Sequence, residues 1–373
     1  MEKVVDIIDS IAHEKNLDVE NVTKAIKTAI INTAKKILGN ELEFDVEINK
    51  QSKKADVFQK VTVVLDDDER LKKREKYIPL SEAKEVDKDI EVGDELRYPI
   101  DFESLGRTAS LNLQKEIEYH IQRLVEQKLF LKYKNRVGKI ISGTVTRVDR
   151  DENTYLEIDE VKAILPLKYR IKGESFKTSD VVKAILKRVV IDRVYGIYLE
   201  LSRTTPKFLE ELLKLEVPEI KDGLIIIEKV ARIPGERAKV ALTSTSTKID
   251  PIGACVGVKG VRINAVSKEL NKESIDCIEY STIPEIFVSR SLSPAIITSV
   301  KIEDSKAIVT LPTDQKSKAI GKNGINIRLA SMLTGFEIEL KEKNPITGIT
   351  STKEDRPKMT LEDLFKKWSF FPF

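Results

Sequence analysis

Two glycine-flanked tetrapeptides are the parts of this sequence whose residue types and spacing indicate chemistry. GVKG at 257–260 and GKNG at 321–324 each interrupt an apolar, helix-like pattern that then resumes. A sharp turn between two helices exposes backbone N–H groups at the start of the second helix, and these groups and the helix dipole attract an anion. Glycine leaves room for a phosphate to approach, and the lysine adds a mobile positive charge. The two segments therefore predict contacts with a sugar-phosphate backbone.

The tetrapeptides occupy equivalent places in a unit that is repeated between residues 204 and 341. Their first glycines are 64 positions apart, and each second glycine is followed seven residues later by a serine. In this register Arg262 matches Asn326, and Asn264 matches Arg328. Each copy predicts a helix, two strands, a second helix, the glycine segment, a third helix and a final strand. This order is typical of the KH domain, whose GxxG loop holds about four nucleotides of single-stranded nucleic acid.

A purely structural role is the alternative for these corners. A single Gly-x-x-Gly is short and common, and it is equally consistent with a helix–turn–helix corner whose glycines serve only the turn. Two copies in matching contexts, each with a lysine, favour binding. Sequence preference would then come from bases lying against the apolar groove beside each loop. Candidates there are Ile263, Val266 and Ile327, which can equally serve the core.

Five strand-like segments precede the repeated unit. They lie at 138–148, 154–158, 161–166, 180–191 and 196–202. Five strands in about 65 residues fit a small closed barrel such as the OB fold, and a barrel with purely structural duties is the alternative. Its candidate nucleic-acid contacts are Lys139, Arg147, Tyr155, Lys168, Arg188, Arg193 and Tyr195. Base stacking on an aromatic side chain contributes about 1–3 kcal/mol, and few aromatics are present, so we expect this barrel to supply mainly charge.

The residues before the barrel predict a separate α+β domain. Two amphipathic helices fill 1–38, the second capped by Asp18 and ended by Gly39, and paired strands follow at 41–48 and 56–65. 

Two further features complete this domain. The acidic run at 66–69 predicts a solvated loop in preference to a metal site. A long helix from about 105 to 133, with no glycine or proline after Gly106, can act as a rigid arm between modules.

Composition indicates a folded, polar chain of two or more domains. Hydrophobic residues make up 41% and charged residues 34%, and the net charge of +3 conceals 64 basic side chains that could attract a polyanion. Neither a membrane-spanning apolar run nor the apolar core of a secretory signal is present, so we expect a cytoplasmic protein without membrane association. Cys255 and Cys277 are too few for a disulfide framework and predict small buried hydrophobes.

The sequence gives little support to an enzyme. It contains neither a Walker-type phosphate loop nor a GxSxG elbow. His13 and His120 are widely separated, and no Cys/His cluster has metal-ligand spacing. We therefore expect no catalytic residues, no metal and no cofactor.

Several long segments resemble the NusA family of bacterial transcription factors. The likeness is carried by IDPIGACVGVKGVRINAVSKELNKESIDCIEY (249–280) and AIGKNGINIRLASMLTGFEIEL (319–340), with SEAKEVDKDIEVGDEL (81–96) before the long helix. It covers about residues 1–341 and implies a multidomain α+β fold. The implied parts are an N-terminal polymerase-binding domain with a long helix at 1–134, a five-stranded OB-fold (S1) barrel at 135–203, tandem type II KH domains at 204–281 and 282–342, and a tail at 343–373.

The resemblance implies an RNA- and polymerase-binding regulator. Proteins of this family bind RNA polymerase near its RNA exit channel, hold emerging RNA on the S1 and KH surface, and modulate pausing, intrinsic termination and antitermination. We therefore expect a monomeric transcription elongation factor. Its expected partners are single-stranded nascent RNA, core RNA polymerase and other elongation or antitermination factors.

The resemblance also implies particular contact residues. Carried over by position, RNA contacts fall on both loops and on two flanking arginines: Gly257, Val258, Lys259, Gly260, Arg262, Gly321, Lys322, Asn323, Gly324 and Arg328. FESLGRTASLNLQKEI (102–117) departs from the basic pattern usual in the family, and Arg107 and Lys115 are predicted there to face polymerase or an RNA hairpin. VKAIL (161–165) lacks an aromatic that S1 domains often carry, which again favours weak stacking. The tail lacks the acidic repeats of some members, so functions tied to those repeats are not expected.

Two alternatives use the same modules. An exoribonuclease of the polynucleotide phosphorylase type places KH before S1 behind large catalytic domains, whereas here the barrel comes first and too few residues precede it. An accessory factor of the ribosome or of RNA processing would purify with ribosomes and not with polymerase.

Overall fold

The computed structural model describes residues 3–49, 51–192 and 196–343. They form two compact units, the first made of residues up to 170 together with 175–203, and the second of 171–174 together with the residues from 204 onward. None of the helices in these ranges combines the length and the hydropathy that a membrane crossing requires.

The first unit opens with helices packed on a four-stranded sheet. Its elements are α1 (Val4–Glu14), α2 (Val19–Leu38), β1 (Glu43–Asn49), β2 (Lys54–Val64), β3 (Tyr77–Pro79), α3 (Leu80–Val86), β4 (Glu95–Ile100) and α4 (Gly106–Lys134). Strand β2 pairs antiparallel with β1 and β4 and parallel with β3. The predicted pair of helices, pair of strands and long helix are confirmed.

The ends and the buried face of α2 follow from local sequence. Asp18 Oδ2 accepts a hydrogen bond from the N–H of Asn21 at 3.1 Å, and Gly39, with φ 143°, ends the helix. The apolar stripe from Val22 to Ile30 is buried against α1, β1 and α4. The segment β3–α3–β4 was not predicted. It is short and charged, and β4 turns only two partly buried residues inward, so its alternation is weak.

The acidic run at 66–69 forms a turn in which side-chain carboxylates accept local hydrogen bonds. Asp66 Oδ1 accepts hydrogen bonds from the N–H and the hydroxyl of Ser81, both at 2.9 Å, and Asp68 Oδ1 accepts one from the N–H of Arg70 at 2.8 Å. Within the described ranges no group of His, Cys, Asp or Glu is arranged to hold a metal ion. The run is thus an exposed loop in which two of the four carboxylates, those of Asp66 and Asp68, accept backbone N–H groups.

A closed five-stranded barrel completes the first unit. Its strands are β5 (Ile140–Val148), β6 (Thr154–Ile158), β7 (Val161–Leu165), β8 (Val181–Asp192) and β9 (Gly196–Ser202), joined in the order β5-β6-β7-β9-β8. Alternate residues of each strand point inward; Leu156, Leu186 and Leu199 are fully buried. The prediction of a small closed barrel is confirmed.

The last turn of α4 is part of the barrel core. Tyr133 is fully buried among the barrel residues, and its hydroxyl donates to Asp159 Oδ2 at 2.9 Å. Burial, aided by this carboxylate, raises the pKa of Tyr133 to about 12. Because the first turns of α4 pack with α2, the 29-residue helix links the two parts of this unit.

The second unit contains two copies of one α-β-β-α-α-β arrangement. The first copy is α5 (Pro206–Glu216), α6 (Pro218–Lys221), β10 (Ile225–Ile233), β11 (Arg237–Ser244), α7 (Pro251–Val256), α8 (Val261–Glu269) and β12 (Ser274–Glu279). The second is α9 (Pro284–Ser291), β13 (Ser299–Glu303), β14 (Lys306–Pro312), α10 (Lys316–Ile320), α11 (Ile325–Thr334) and β15 (Glu337–Lys343). In each sheet the central strand pairs antiparallel with the first strand and parallel with the last. The predicted repeat is confirmed, and only the one-turn α6 was missed.

Turn chemistry at the helix ends agrees with the sequence. Asp250 Oδ1 accepts the N–H of Ile252 at 3.0 Å and so caps α7, with Pro251 as its first residue. Gly335, in the left-handed conformation with φ 85°, ends α11. The predicted limits of the five domains remain predictions, and the tail beyond residue 343, with Trp368, lies outside the described residues.

Candidate nucleic-acid interface

The two glycine corners have the same backbone conformation. The first glycine has φ 75° and ψ 170° at Gly257 and φ 73° and ψ 174° at Gly321. The third position has φ 53° and ψ 25° in both copies, at Lys259 and at Asn323. Two stretches that share little more than their glycines therefore fold to one shape, which a sequence comparison alone could only suggest.

The second glycine of each corner opens the following helix. Gly260 has φ 76° and Gly324 has φ 72°, a left-handed conformation that favours glycine. A Cβ on Gly324 would meet nothing within 4 Å. A Cβ on Gly260 would have one close contact, 3.1 Å to the side-chain Nδ2 of Asn264. No side chain caps α8 or α11. The N–H groups of Val261 and Ile325, the first residues of these helices, donate to the carbonyls of Val258 and Lys322, so an external acceptor would be bound by other N–H groups of the turn.

The two lysines do not occupy equivalent positions. Lys259 is the third residue of its corner, whereas Lys322 is the second residue of the other. Both are exposed. The place that Lys322 occupies is taken in the first copy by Val258, which is 83% exposed. The first corner thus presents an apolar and a basic side chain, and the second presents a lysine followed by an asparagine.

The flanking arginines differ in their surroundings. Arg328 is exposed and forms no ion pair within the described residues. Arg262 is only partly exposed, and its Nη1 lies 2.9 Å from Glu219 Oε2 and 2.7 Å from the carbonyl of Ala254. Direct contact of either side chain with RNA stays a prediction, but the guanidinium of Arg262 already has partners.

The predicted groove residues mostly serve the core. Val266 is 1% exposed, and Ile327 packs against the hydrophobic core of the second copy. Ile263 is half-buried. The alternative stated for these residues from the sequence therefore applies at least to Val266.

One row of paired residues crosses the barrel surface. Arg147 pairs with Tyr155, Tyr155 with Ile164, Ile164 with Glu200, and Glu200 with Arg188. The Arg147 guanidinium lies 4.0 Å from the centre of the Tyr155 ring, and Arg188 Nη2 lies 2.6 Å from Glu200 Oε2. Three residues predicted from separate strands are thus brought into one row.

A second aromatic group of the barrel was missed from the sequence. Lys168 and Lys187 flank the ring of Tyr169, with their Nζ atoms 5.0 and 3.5 Å from its centre. A hydrogen bond from Lys187 lowers the pKa of Tyr169. The position of Tyr169 beside Lys168, directly after the third strand, is the signal that could have found it. Lys139 is exposed just before β5, where its carbonyl accepts the N–H of Leu186, two residues before Arg188 of the row. Arg193 and Tyr195 lie outside the described residues.

Comparisons with known proteins account for this arrangement. The model of the NusA N-terminal domain matches residues 3–128, that of the NusA-like first KH domain matches 203–280, and that of the NusA-like second KH domain matches 284–347. Proteins called transcription termination/antitermination protein NusA from two strains of Helicobacter pylori are 44% identical over 98% of this chain and all of theirs. The chain belongs to the NusA family. A NusA from Thermus thermophilus is 38% identical over 91% of this chain and 89% of its own.

Family membership confirms several predictions from the sequence. The chain is a transcription termination/antitermination factor of the NusA family with two KH domains, and such factors are not enzymes. This outcome favours the transcription prediction over the exoribonuclease and translation alternatives.

The N-terminal residues predicted to face polymerase or RNA lie on one helix of the matched domain. Arg107 is in the first turn of α4 and Lys115 is two turns further on, and both side chains are exposed. Cys255 is buried and Cys277 is half-buried, in the first KH domain. Hydrogen bonding to Cys255, together with burial, raises the pKa of Cys277, so this thiol stays protonated.

Proposed function

We propose that this NusA-family chain binds single-stranded nascent RNA at its two glycine corners while its N-terminal domain binds core RNA polymerase. Acting in the cytoplasm, it thereby modulates pausing, intrinsic termination and antitermination. The observation that carries the RNA part is the identity of the two corners in backbone conformation. A chain that needs only a turn can adopt many turn conformations, whereas two turns with the same backbone conformation before a helix suit one repeated ligand such as a sugar-phosphate backbone.

The proposed RNA contacts divide into amides and charges. The amides are backbone N–H groups of both corners and of the first turns of α8 and α11. The N–H groups of the four glycines, of Val261 and of Ile325 are not among them, because they donate to carbonyls within the chain. The charges are Lys259, Lys322 and Arg328, which are exposed around the corners. In the barrel we propose Arg147, Tyr155 and Arg188 along the row, with Lys168 and Tyr169 beside it and Lys139, Arg193 and Tyr195 as further predicted contacts.

The proposed polymerase contact is made by the N-terminal domain, residues 1–134. Arg107 and Lys115 project from α4 and would face polymerase or an RNA hairpin at its exit channel. The other proposed limits are 135–203 for the S1 barrel, 204–281 and 282–342 for the KH domains and 343–373 for the tail. Other elongation or antitermination factors are further proposed partners of a monomeric chain.

A double substitution of the second glycines tests the RNA part. In Gly260→Asp/Gly324→Asp a carboxylate enters space in which the proposed phosphate would lie. We expect affinity for a single-stranded RNA to fall by about tenfold or more. A repulsion between carboxylate and phosphate that weakens binding by about 1.4 kcal/mol lowers the affinity tenfold. Capture of core polymerase by the same variant should be unchanged.

Gly335→Asp is the matched control. Gly335 has φ 85°, a similar left-handed conformation, and a Cβ there would also meet nothing within 4 Å. It therefore reproduces the backbone strain of Gly324→Asp away from the corner. Equal RNA affinity in the double variant and in Gly335→Asp, with both folded, would refute RNA binding at the corners. Normal polymerase capture by a chain lacking 1–134 would refute the assignment of that domain.

A further inference from the structure

Each corner is bridged by one side chain from its second helix. Five residues after the first glycine, Arg262 extends back to the preceding helix and donates from Nη1 to the carbonyl of Ala254 at 2.7 Å. At the equivalent place Asn326 donates from Nδ2 to the carbonyls of Lys318 and Ala319, at 3.2 and 3.1 Å. The last carbonyls of a helix have no partner within it, so both side chains satisfy the end of the helix that leads into the corner.

Each bridge also reaches a third element. Arg262 pairs with Glu219 of α6 at 2.9 Å, and Asn326 donates to the carbonyl of Leu292, just after α9, at 3.1 Å. The helices before the corners, α7 and α10, have six and five residues, too few to be stable alone. The bridges therefore help to fix their direction. An ion pair does this in the first copy and a neutral amide in the second.

The first glycine of each corner lies directly against the residue that forms the bridge. A Cβ on Gly257 would lie 2.9 Å from Cγ of Arg262, and one on Gly321 would lie 2.7 Å from Cβ of Asn326. These are closer than a real Cβ tolerates, and the backbone conformation at both positions is open almost only to glycine. Gly257 thus makes room for the bridging side chain of Arg262, whereas Gly321 makes room for the Cβ and the backbone nitrogen of residue 326. Of the second glycines, Gly324 faces open space and Gly260 lies near Nδ2 of Asn264.

Asn326 carries a cost that stability does not explain. It is 1% exposed, and its Oδ1 is buried and accepts no hydrogen bond from the described residues. A buried acceptor without a donor is destabilising and calls for a reason. The hydrogen bonds from Nδ2 join α9, α10 and α11. They explain why asparagine is present if binding depends on the exact shape of the corner.

We infer that Arg262 and Asn326 are positioning residues, which hold the two corners in the conformation that binds RNA and do not themselves contact it. The inference rests on the proposed function. It gives the two glycines of each corner different roles: the first accommodates the residue that forms the bridge and the second admits the phosphate. It also gives Arg262 a role other than the direct contact predicted from the sequence.

Substitution of Glu219 distinguishes direct RNA contact by Arg262 from positioning by Arg262, because the two roles predict opposite changes in RNA affinity. If Arg262 contacted a phosphate, Glu219→Ala would free its guanidinium and remove a nearby negative charge, and RNA affinity would rise. If Arg262 positions the corner, affinity falls, by about threefold for a bridge that keeps its bond to Ala254. The assay is binding of a single-stranded RNA in a Gly324→Asp background, so that the first corner carries the affinity.

Glu210→Ala is the control for this substitution. It removes another carboxylate from the same copy, one that pairs with Lys207 at 2.8 Å on α5 and takes no part in the bridge. A rise in affinity with Glu219→Ala, or the same affinity as with Glu210→Ala, overturns the inference for Arg262.

Asn326→Ala tests the second bridge with and without RNA. In the free chain we expect amide hydrogen exchange of residues 321–325 to quicken by about tenfold, while exchange in the far half of α11 is unchanged. In a Gly260→Asp background, RNA affinity should fall by about tenfold. Asn326→Ser, which keeps a shorter donor, serves if the alanine variant does not fold, and it should lie between alanine and wild type.

The outcomes separate this inference from the proposed function. If wild-type chain does not bind RNA, or Gly324→Asp binds as Gly335→Asp does, the proposed function fails. If those controls behave as expected but Asn326→Ala leaves RNA affinity unchanged, the inference is wrong, whatever the exchange rates. Faster corner exchange with weaker RNA binding supports it.

Discussion

Arg232 and Glu273 form a fully buried ion pair whose disruption should destabilise the first KH domain specifically. Both side chains are 0% exposed. Arg232 Nε lies 2.8 Å from Glu273 Oε1, Nη2 lies 2.9 Å from Oε2, and Nη1 donates to the carbonyl of Thr205 at 2.9 Å. Glu273 Oε2 also accepts the N–H of Gly235 at 2.9 Å. The pair therefore joins β10 to the segments before α5 and before β12.

Arg232→Met keeps most of the side-chain volume but removes every charged donor to Glu273. The carboxylate then stays buried with the N–H of Gly235 as its remaining donor among the contacts described. Breaking a buried pair on one side costs about 3–5 kcal/mol, because an uncompensated charge is left in the interior. A loss of that size raises the exchange rate of the most protected amides by about 10²-fold at its lower limit and about 4 × 10³-fold at its upper limit.

Hydrogen exchange resolved to peptides of β10, β11 and β12 measures this loss without assuming that the whole chain unfolds in one step. Arg237→Met is the matched control, since Arg237 makes a similar contact, 2.7 Å to Asp276, with both partners partly exposed. We expect Arg237→Met to lower the free energy of unfolding by about 1 kcal/mol or less. The double variant Arg232→Met/Glu273→Leu should regain most of the loss. Equal effects of Arg232→Met and Arg237→Met, or a double variant as unstable as Arg232→Met, would refute the reasoning.

Two further predictions concern the first unit. A hydrogen bond from Lys36 at 2.5 Å lowers the pKa of Glu116. The Glu116 carboxylate therefore stabilises the fold above about pH 4.3, the pKa of an unfolded glutamate. This stabilisation is lost as the pH falls through the pKa of Glu116 in the folded chain. Glu116→Gln should cost about 1 kcal/mol at neutral pH by exchange of α2, and this difference should vanish in acid; a constant difference would contradict it. Because the pKa of Tyr133 is raised to about 12, the stabilisation from its protonated form is lost as the pH rises from about 10 toward that value. Tyr133→Phe should therefore leave the near-ultraviolet titration of tyrosine below pH 11 unchanged, and a smaller signal there would show that Tyr133 titrates normally.

Periodicity was sufficient for the elements that bury a face. The stripe of α2, the alternating barrel strands and both KH repeats were predicted because each must turn apolar residues toward a core. The segment β3–α3–β4 was missed for the opposite reason. Its strands depend on the edges that β2 offers, and few of their own residues are buried.

The bridges show a different limit of sequence reasoning. The register of the repeat already aligned Arg262 with Asn326. One residue is charged and the other neutral, so the alignment did not indicate a common role for them. Their common role is to donate to equivalent backbone carbonyls, and these carbonyls come within reach only once the corner has formed. Arg262 was therefore interpreted as a free charge near a polyanion. Tyr169 and Lys187 were missed similarly, since they meet only when the barrel closes.

The packing of α11 makes the two corners mechanically dependent. This helix starts at the second corner, and its Leu329 and Leu333 are buried in one cluster with Ala231 and Ala241 of the first KH sheet. A second contact between the two KH domains is a hydrogen bond from fully buried Lys239 of β11 to the carbonyl of Ser293, at 2.9 Å. Because such interiors are close-packed, the corners cannot shift separately without opening this contact. For an RNA bound as proposed, the spacing between the gripped nucleotides is then set by the protein, and a strand too short to reach both corners gains nothing from the second one.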